Sequence, residues 1–186
     1  MPVREAIQRL VAAKALVQSP DRVIRVAPFT REIYDQVSRI RMHLEAFAAE
    51  RACISRDAAL PAKLTAHNEA MLEAARAYNI EQALIENQSF HFEMYEAAKY
   101  PELLEMIANL WLRAGPFVAT AQQKPVDALR LFETGFRVHA RVIDAIKRHA
   151  PKEARFALAL DIRSATVWLR ANCDFADYTV KHVASK

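Results

Sequence analysis

Apolar residues recur every three or four positions along most of this chain, which is the spacing that gathers them on one side of an α-helix. β-branched runs, which favour strands, are confined to the residues around 22 to 26. We therefore predict an all-α fold, an antiparallel bundle of six to seven helices. The pattern places these helices at about 31–52, 56–78, 79–99, 101–113, 126–149 and 151–170, with a tail at 172–186 that forms a short extra helix or a frayed end.

Polar caps and helix breakers set the expected ends of these helices. Thr30 and Ser55 are predicted to cap the first two helices, and Asn79 restarts the chain in the third. Because Pro61 falls in the first turns of the second helix, a start nearer Ala59 is the alternative. Gly115 and Pro116 are expected to stop the fourth helix. The fifth and sixth helices are joined by a turn near Ala150, so they should be antiparallel neighbours.

The first 28 residues follow a different pattern. A helix to about residue 15 is followed by apolar stretches at 16–18 and 23–26, which are separated by a Ser-Pro-Asp turn. Helix, strand, turn and strand make up the second half of a winged helix-turn-helix. We therefore divide the chain into a partial winged-helix domain at 1–28 and a helical domain at 29–186.

Composition supports a globular protein with an anionic partner for its N-terminal part. Of the 186 residues 53% are hydrophobic and 26% charged, and only two are glycine. Residues 1–28 contain five basic and two acidic side chains, which gives +3 of the formal net charge of +4. The chain has no apolar run of membrane-spanning length and two cysteines without a pattern, so we expect a cytoplasmic protein that does not contact a membrane.

The third predicted helix contains two polar residues on an otherwise apolar face. Asn87 and His91 are four residues apart, about one turn, so their side chains point the same way. One interpretation is half of a metal site. The other is an amide and a histidine that are hydrogen-bonded within the core.

A second pair of polar residues follows from the turn at Ala150. His139 lies eleven residues before Ala150 and Asp161 eleven residues after it. With about 1.5 Å of rise per residue in each helix, both side chains lie about 16 Å from the turn and are level with each other.

Several motifs resemble GntR-family transcription regulators of the FadR subfamily, and the likeness extends over essentially the whole chain. "PVREA" with Arg9-Leu10 resembles that family's recognition helix, and "LV" followed by "VAP" resembles its wing. Arg41, Leu44 and Glu45 resemble the first helix of its all-helical effector domain, the FCD domain. The resemblance implies that Arg4 and Arg9 contact DNA, whereas the alternative is two ordinary solvated arginines.

Two features depart from the family pattern. The chain begins inside the recognition helix, without the two helices that support it, and Val23 occupies a wing position where the family usually has glycine. We expect either a truncated sequence or a protein that has lost DNA binding.

The resemblance also implies a metal site. The family ligands are one aspartate and three histidines, and the matching positions here are Asn87, His91, His139 and Asp161. Two imidazoles and two oxygens suit a divalent ion, with Zn, Ni, Mn and Fe as candidates and the harder ions favoured over Zn. The alternative is a polar core in which Asp161 pairs with Arg163 or Arg41.

These features together predict a metabolite-responsive transcription regulator and not an enzyme. A small carboxylate would bind at the metal-centred pocket and pair with Arg41, although a salt bridge from Arg41 to Glu45 is the simpler interpretation. The expected assembly is a homodimer that binds operator DNA if the winged helix is complete. The alternatives are a metal-dependent helical-bundle enzyme and a regulator-derived domain without DNA binding.

Overall fold

A computed structural model of the protein describes residues 2–19, 22–28, 30–118, 125–172 and 175. The described part contains seven helices and one pair of strands, as the all-α prediction requires. In chain order the elements are α1 (Pro2–Ala12), β1 (Leu16–Gln18), β2 (Ile24–Val26), α2 (Arg31–Ser55), α3 (Leu60–Arg76), α4 (Ile80–Ala97), α5 (Pro101–Val118), α6 (Pro125–Lys147) and α7 (Pro151–Asn172).

The N-terminal elements match the predicted helix and strand pair. β1 and β2 are antiparallel, with Leu16 opposite Val26 and Gln18 opposite Ile24. Helix α1 contains no buried residue. The elements are thus those expected of a recognition helix and wing, and the division at residue 28 stays a prediction.

The main core lies between α2 and the helices that follow it. Helix α2 packs along α7, α3 along α4, and α6 lies against both α7 and α3. One large apolar cluster includes Leu64, Phe90, Met94 and Leu158, which have no more than 1% of their surface exposed. Since these residues come from three different helices, the bundle holds α4 between neighbours and buries the face that carries His91.

Two of the predicted helix starts are confirmed by their caps. The Thr30 hydroxyl accepts a hydrogen bond from the Ile33 amide, and the Asn79 side chain accepts one from the Gln82 amide. Each cap satisfies a donor that the first turn of a helix leaves without a backbone partner.

Two other predicted boundaries are wrong. Ser55 does not cap a helix but ends α2, where its hydroxyl donates to the Ala52 carbonyl. The later start near Ala59, which Pro61 favoured, is confirmed, because α3 begins at Leu60 with Ala59 at its N-cap. Helix α5 continues through Gly115 and Pro116 to Val118. A Cβ at Gly115 would meet no atom within 4 Å, so this glycine serves no close approach, and its conformational freedom alone does not end the helix. The expectations for 119–124 and 176–186 lie outside the described residues.

Over the residues that the structure describes, five helices are followed within two positions by a residue with left-handed backbone geometry, and none of these residues is glycine. They are Lys14 (φ 59°), Arg56 (φ 55°), Tyr78 (φ 57°), Lys99 (φ 59°) and His149 (φ 53°). A side chain in this conformation costs about 1–2 kcal/mol relative to a right-handed one. The chain therefore retains strain at these turns that glycine would relieve.

Within the described ranges, no helix combines the length and the apolar character that a membrane crossing requires.

The substitution Lys99→Gly should stabilise the protein by about 0.5–1 kcal/mol, because it removes the left-handed strain at an exposed position. Urea denaturation followed by circular dichroism measures the change. As a control, Arg141→Gly at an exposed interior position of α6 should destabilise by about 1 kcal/mol. Equal losses of stability in both variants would contradict the strain argument.

Candidate metal centre

Three predicted ligands meet at the centre of the bundle. Nε2 of His91 lies 3.4 Å from one carboxylate oxygen of Asp161, and Nε2 of His139 lies 3.4 Å from the other. One ligand atom from each of the three residues falls within a 4.8 Å cluster. All three side chains are buried, with His139 fully inaccessible. The structure thus brings together three residues from α4, α6 and α7.

The position of His139 beside Asp161 confirms the spacing argument made from the turn at Ala150. The two helices run back from that turn side by side, and residues eleven positions before and after it face each other. His91 joins them because it lies on the buried face of α4, which packs against α6 and brings Nε2 of His91 to Asp161 of α7.

Aromatic packing fixes the ring planes of the two histidines. Phe90 stacks on the His139 ring, with centroids 3.9 Å apart and planes 6° from parallel. The same phenyl ring meets the His91 ring edge-on at 5.5 Å. The two imidazoles are themselves nearly perpendicular, with centroids 5.2 Å apart. A single phenylalanine therefore orients both imidazoles.

The hydrogen bond on the far side of His139 determines where its proton lies. The Asn68 side-chain amide donates to the backbone carbonyl of Phe136 at 3.1 Å, so its carbonyl oxygen is the atom that faces His139. That oxygen lies 3.1 Å from Nδ1 of His139 and can only accept. Nδ1 of His139 must therefore carry the proton, and Nε2 presents a lone pair toward Asp161.

His91 is arranged in the same way by different residues. The Tyr95 hydroxyl donates to the buried carboxylate of Glu45, which is an acceptor only. The oxygen of that hydroxyl lies 2.9 Å from Nδ1 of His91 and accepts from it. Burial, with Glu45 nearby, holds the pKa of Tyr95 well above its ordinary value, so the hydroxyl keeps its proton. Nε2 of His91 is then free of this bond and faces Asp161.

The Nε2 lone pairs of His91 and His139 and the Asp161 carboxylate therefore face one another with no proton between them. The 3.4 Å separations are long for a charge-assisted hydrogen bond, which is usually about 2.7–2.9 Å. Nε2 of His139 is buried and has no hydrogen-bond partner in the described part of the chain. Ligand atoms about 2.0–2.2 Å from a common ion are separated by roughly 3–3.5 Å. The three residues fit a divalent cation.

The protonation states also suit a cation. Burial by itself would raise the pKa of Asp161, but the positive charge that His139 and His91 carry when protonated lowers the pKa of that carboxyl by more, and a bound cation would act in the same direction. Burial lowers the pKa of His139 by more than the nearby carboxylate raises it. A carboxylate and a neutral imidazole are the forms that bind metal ions.

Arg41 forms the predicted salt bridge and also lines the cavity, and its pairing with a carboxylate effector stays a prediction. Its Nε lies 2.6 Å from one Glu45 oxygen and its Nη2 3.4 Å from the other, so the salt bridge to Glu45 is present. Its guanidinium also lies 4.6 Å from the centre of the Trp111 ring and lines the cavity beside the triad. The alternative in which Arg41 pairs with Asp161 is wrong, because Glu45 takes that place.

Two adjoining cavities lie beside the triad. The inner one, about 80 Å³, is lined by His91 and Asp161, and the outer one is about 560 Å³. Arg41, Asn87 and Trp111 line both cavities and form the wall between them. Asn87 is therefore placed at the site, and its role as a metal ligand stays a prediction.

The remaining candidate residues lie elsewhere. Arg4 and Arg9 are exposed on α1, where Arg9 pairs with Glu5 at 2.7 Å. Their role as DNA contacts stays a prediction. His67 is partly buried, with Nδ1 2.7 Å from a Glu86 oxygen.

Sequence reasoning missed four residues that build this site. Glu45 was recognised only as a partner for Arg41, while Asn68, Tyr95 and Trp111 were not identified at all. Two signals were available. Asn68 interrupts the buried side of α3 between Leu64 and Met71, and Tyr95 lies one turn after His91 on the same helix.

Comparison with known proteins agrees with the fold and the site. The family model described as the FCD domain matches residues 36–164. The transcriptional regulator McbR of Escherichia coli K12 is 34% identical over 115 residues, which are 62% of this chain and 52% of McbR. The chain thus spans about half the length of that curated relative.

Solved structures show the same fold. The solved chain of Escherichia coli McbR/YncC superposes with a TM-score of 0.83 at 26% identity, over 91% of this chain and 84% of the solved chain. Lar of Listeria monocytogenes matches with a TM-score of 0.68 at 13% identity, over 91% of this chain and 79% of Lar. A Streptococcus agalactiae GntR protein matches with a TM-score of 0.59 at 14% identity, over 89% of this chain and 80% of the GntR chain. The last two comparisons support the fold alone.

A helical bundle that closes around two histidines and a carboxylate, beside an arginine-lined cavity, defines a ligand-sensing domain. The chain belongs to the FCD-domain family of GntR-type regulators. The predicted family and fold are confirmed.

The substitution Arg41→Met should lower the free energy of unfolding by about 3–5 kcal/mol, because it leaves the fully buried Glu45 without its counter-ion. The added substitution Glu45→Gln should restore part of that loss. Urea denaturation measures both changes. Arg148→Met, which breaks an exposed pair with Asp144 and Glu153, should change stability little. An equally small effect at Arg41 would show that the buried pair does not stabilise the fold.

Proposed function

We propose that this protein is the sensor region of a transcription regulator and that it binds a divalent metal ion and a small carboxylate. The observation that carries the proposal is the convergence of His91, His139 and Asp161, whose ligand atoms lie within 4.8 Å of one another. Its support from relatives is the name of McbR, a transcriptional regulator.

The ligand set favours an ion that accepts nitrogen and oxygen donors and keeps open positions. Two imidazoles and one carboxylate provide three ligands with a single negative charge, and the amide oxygen of Asn87 is the fourth candidate from the same cavity wall. Zn, Ni, Mn and Fe all bind such sets, with the harder ions favoured by the oxygen ligands. Positions left open by the protein would accept an effector oxygen.

The cavity wall supplies donors for a carboxylate. Arg41 carries five N–H groups, and its bonds to Glu45 engage only Nε and Nη2. The indole N–H of Trp111 is buried without an acceptor among the described residues. An anion in the inner cavity would reach both side chains. The inner cavity, about 80 Å³, suits the carboxylate group, while the outer one has room for the rest of a small metabolite.

The output of such a sensor would be a change in DNA binding. An effector that binds one arrangement of the bundle more tightly shifts the population toward that arrangement. A homodimer would present two recognition helices to two operator half-sites, with Arg4 and Arg9 on α1 as the candidate contacts. A cytoplasmic location follows from this role.

Protein purified without chelator should contain about one divalent ion per chain, and His91→Ala should lose it because one of three strong ligands is gone. Elemental analysis by mass spectrometry measures the ion. Asp161→Asn is a second variant of nearly unchanged shape, and circular dichroism verifies that both remain folded. A metal-free wild type that also fails to take up any of the four candidate ions would overturn the metal proposal.

Metal-loaded protein should bind at least one member of a panel of small mono-, di- and tricarboxylates, as measured by calorimetry. Trp111→Phe should weaken that binding roughly tenfold to a hundredfold, because one hydrogen bond to the charged carboxylate is lost while an aromatic ring remains. Trp168→Phe, a partly buried tryptophan outside both cavities, is the matched control. The carboxylate proposal fails if no member of the panel binds.

A further inference from the structure

The two histidines of the centre are each supported on the side that faces away from Asp161. The His91 support consists of Tyr95, Glu45 and Arg41, and the His139 support consists of Asn68 and the Phe136 carbonyl. Neither support includes a metal ligand other than the histidine it holds.

We propose that Tyr95, Glu45 and Asn68 are positioning residues that keep the proton of both imidazoles on Nδ1, so that both Nε2 atoms are ready for an ion before it arrives. This inference rests on the proposed metal site for its purpose. The proton positions themselves are a property of the metal-free protein and are testable without any metal.

A positioning device is needed because a free neutral histidine carries its proton on either nitrogen and favours Nε2. In that form the proton of either ring would point at Asp161 and block the ion. In this structure the groups that face Nδ1 of each ring cannot donate a hydrogen bond to it, so the proton lies on Nδ1. Glu45 can only accept, so the Tyr95 hydroxyl must direct its proton away from His91.

Arg41 fixes the direction of the hydrogen bonds that support His91. Its guanidinium can only donate, and it holds Oε1 of Glu45 at 2.6 Å. Substituting Glu45 by glutamine would therefore place the amide oxygen toward Arg41 and the NH₂ group toward Tyr95. The Tyr95 oxygen would then accept from the amide and its hydroxyl would donate to Nδ1 of His91, which reverses the support and moves the proton of His91 to Nε2.

The His139 support is anchored differently. Asn68 is fixed by the backbone carbonyl of Phe136, three residues before His139 on the same helix, and not by an ionised group. Because it ends on the backbone, a change at Arg41 or Glu45 leaves it intact. The two histidines therefore serve as internal controls for each other.

Histidine ring nitrogen shifts, recorded by long-range ¹H–¹⁵N NMR on chelator-treated protein at about pH 8, test the proposal. In the wild type, Nδ1 of both His91 and His139 should be protonated. Tyr95→Phe keeps the ring and removes the hydroxyl, so His91 alone should lose its fixed Nδ1 proton. Glu45→Gln should move the His91 proton to Nε2, and Asn68→Leu should release His139 alone.

Metal titrations complete the test. Tyr95→Phe and Asn68→Leu should each weaken metal binding about tenfold to a hundredfold, whereas His91→Ala removes it. An unprotonated Nδ1 on either ring in the wild type overturns the proposal, even if one of the variants fails to fold. Unchanged tautomers in Tyr95→Phe and Glu45→Gln also overturn it. If the tautomers are as expected but the protein binds no metal, the result would support this inference and contradict the proposed metal function.

Discussion

The centre of this bundle depends on a buried carboxylate that faces two imidazole lone pairs. Asp161 is only 7% exposed, and its two oxygens are each 3.4 Å from a histidine Nε2. These four electron-rich atoms, two oxygens and two nitrogens, repel one another in a low-dielectric interior unless a cation lies between them. A proton on either Nε2 would remove this repulsion by a hydrogen bond to Asp161. Asn68 and Tyr95 oppose that arrangement, because they keep the histidine protons on the opposite side of each ring.

Much of this arrangement could be predicted from the sequence, because it depends on helical geometry alone. The one-turn spacing of Asn87 and His91 placed both on the inner side of α4. The eleven-residue distances from Ala150 placed His139 beside Asp161, since two helices joined by a short turn must run back together. Predictions of this kind do not depend on where each helix ends. The wrong prediction for the end of α5 therefore did not affect the prediction of the site.

The remainder depended on contacts between distant parts of the chain. Asn68 is 71 residues from His139, and Tyr95 is 50 residues from Glu45. No local pattern predicts which buried amide meets which imidazole, because the rotation of α3 about its axis and the packing of α2 against α4 decide it. A polar residue on a buried face indicates that a partner exists but does not identify it.

The resemblance to the family makes the position of the negative charge informative. The family pattern implies a carboxylate on the helix of His91, where this chain has Asn87, and a histidine on the last helix, where it has Asp161. The exchange preserves a ligand charge of −1 but moves it to the residue that lies between the two histidines. Since Asn87 lines both cavities, the shared wall is neutral at this position, with Arg41 on the same wall and Glu81 on the lining of the outer cavity. In the proposed sensor, a carboxylate at Asp161 would attract the cation without placing a negative charge at position 87, where that charge would oppose the entry of an anion.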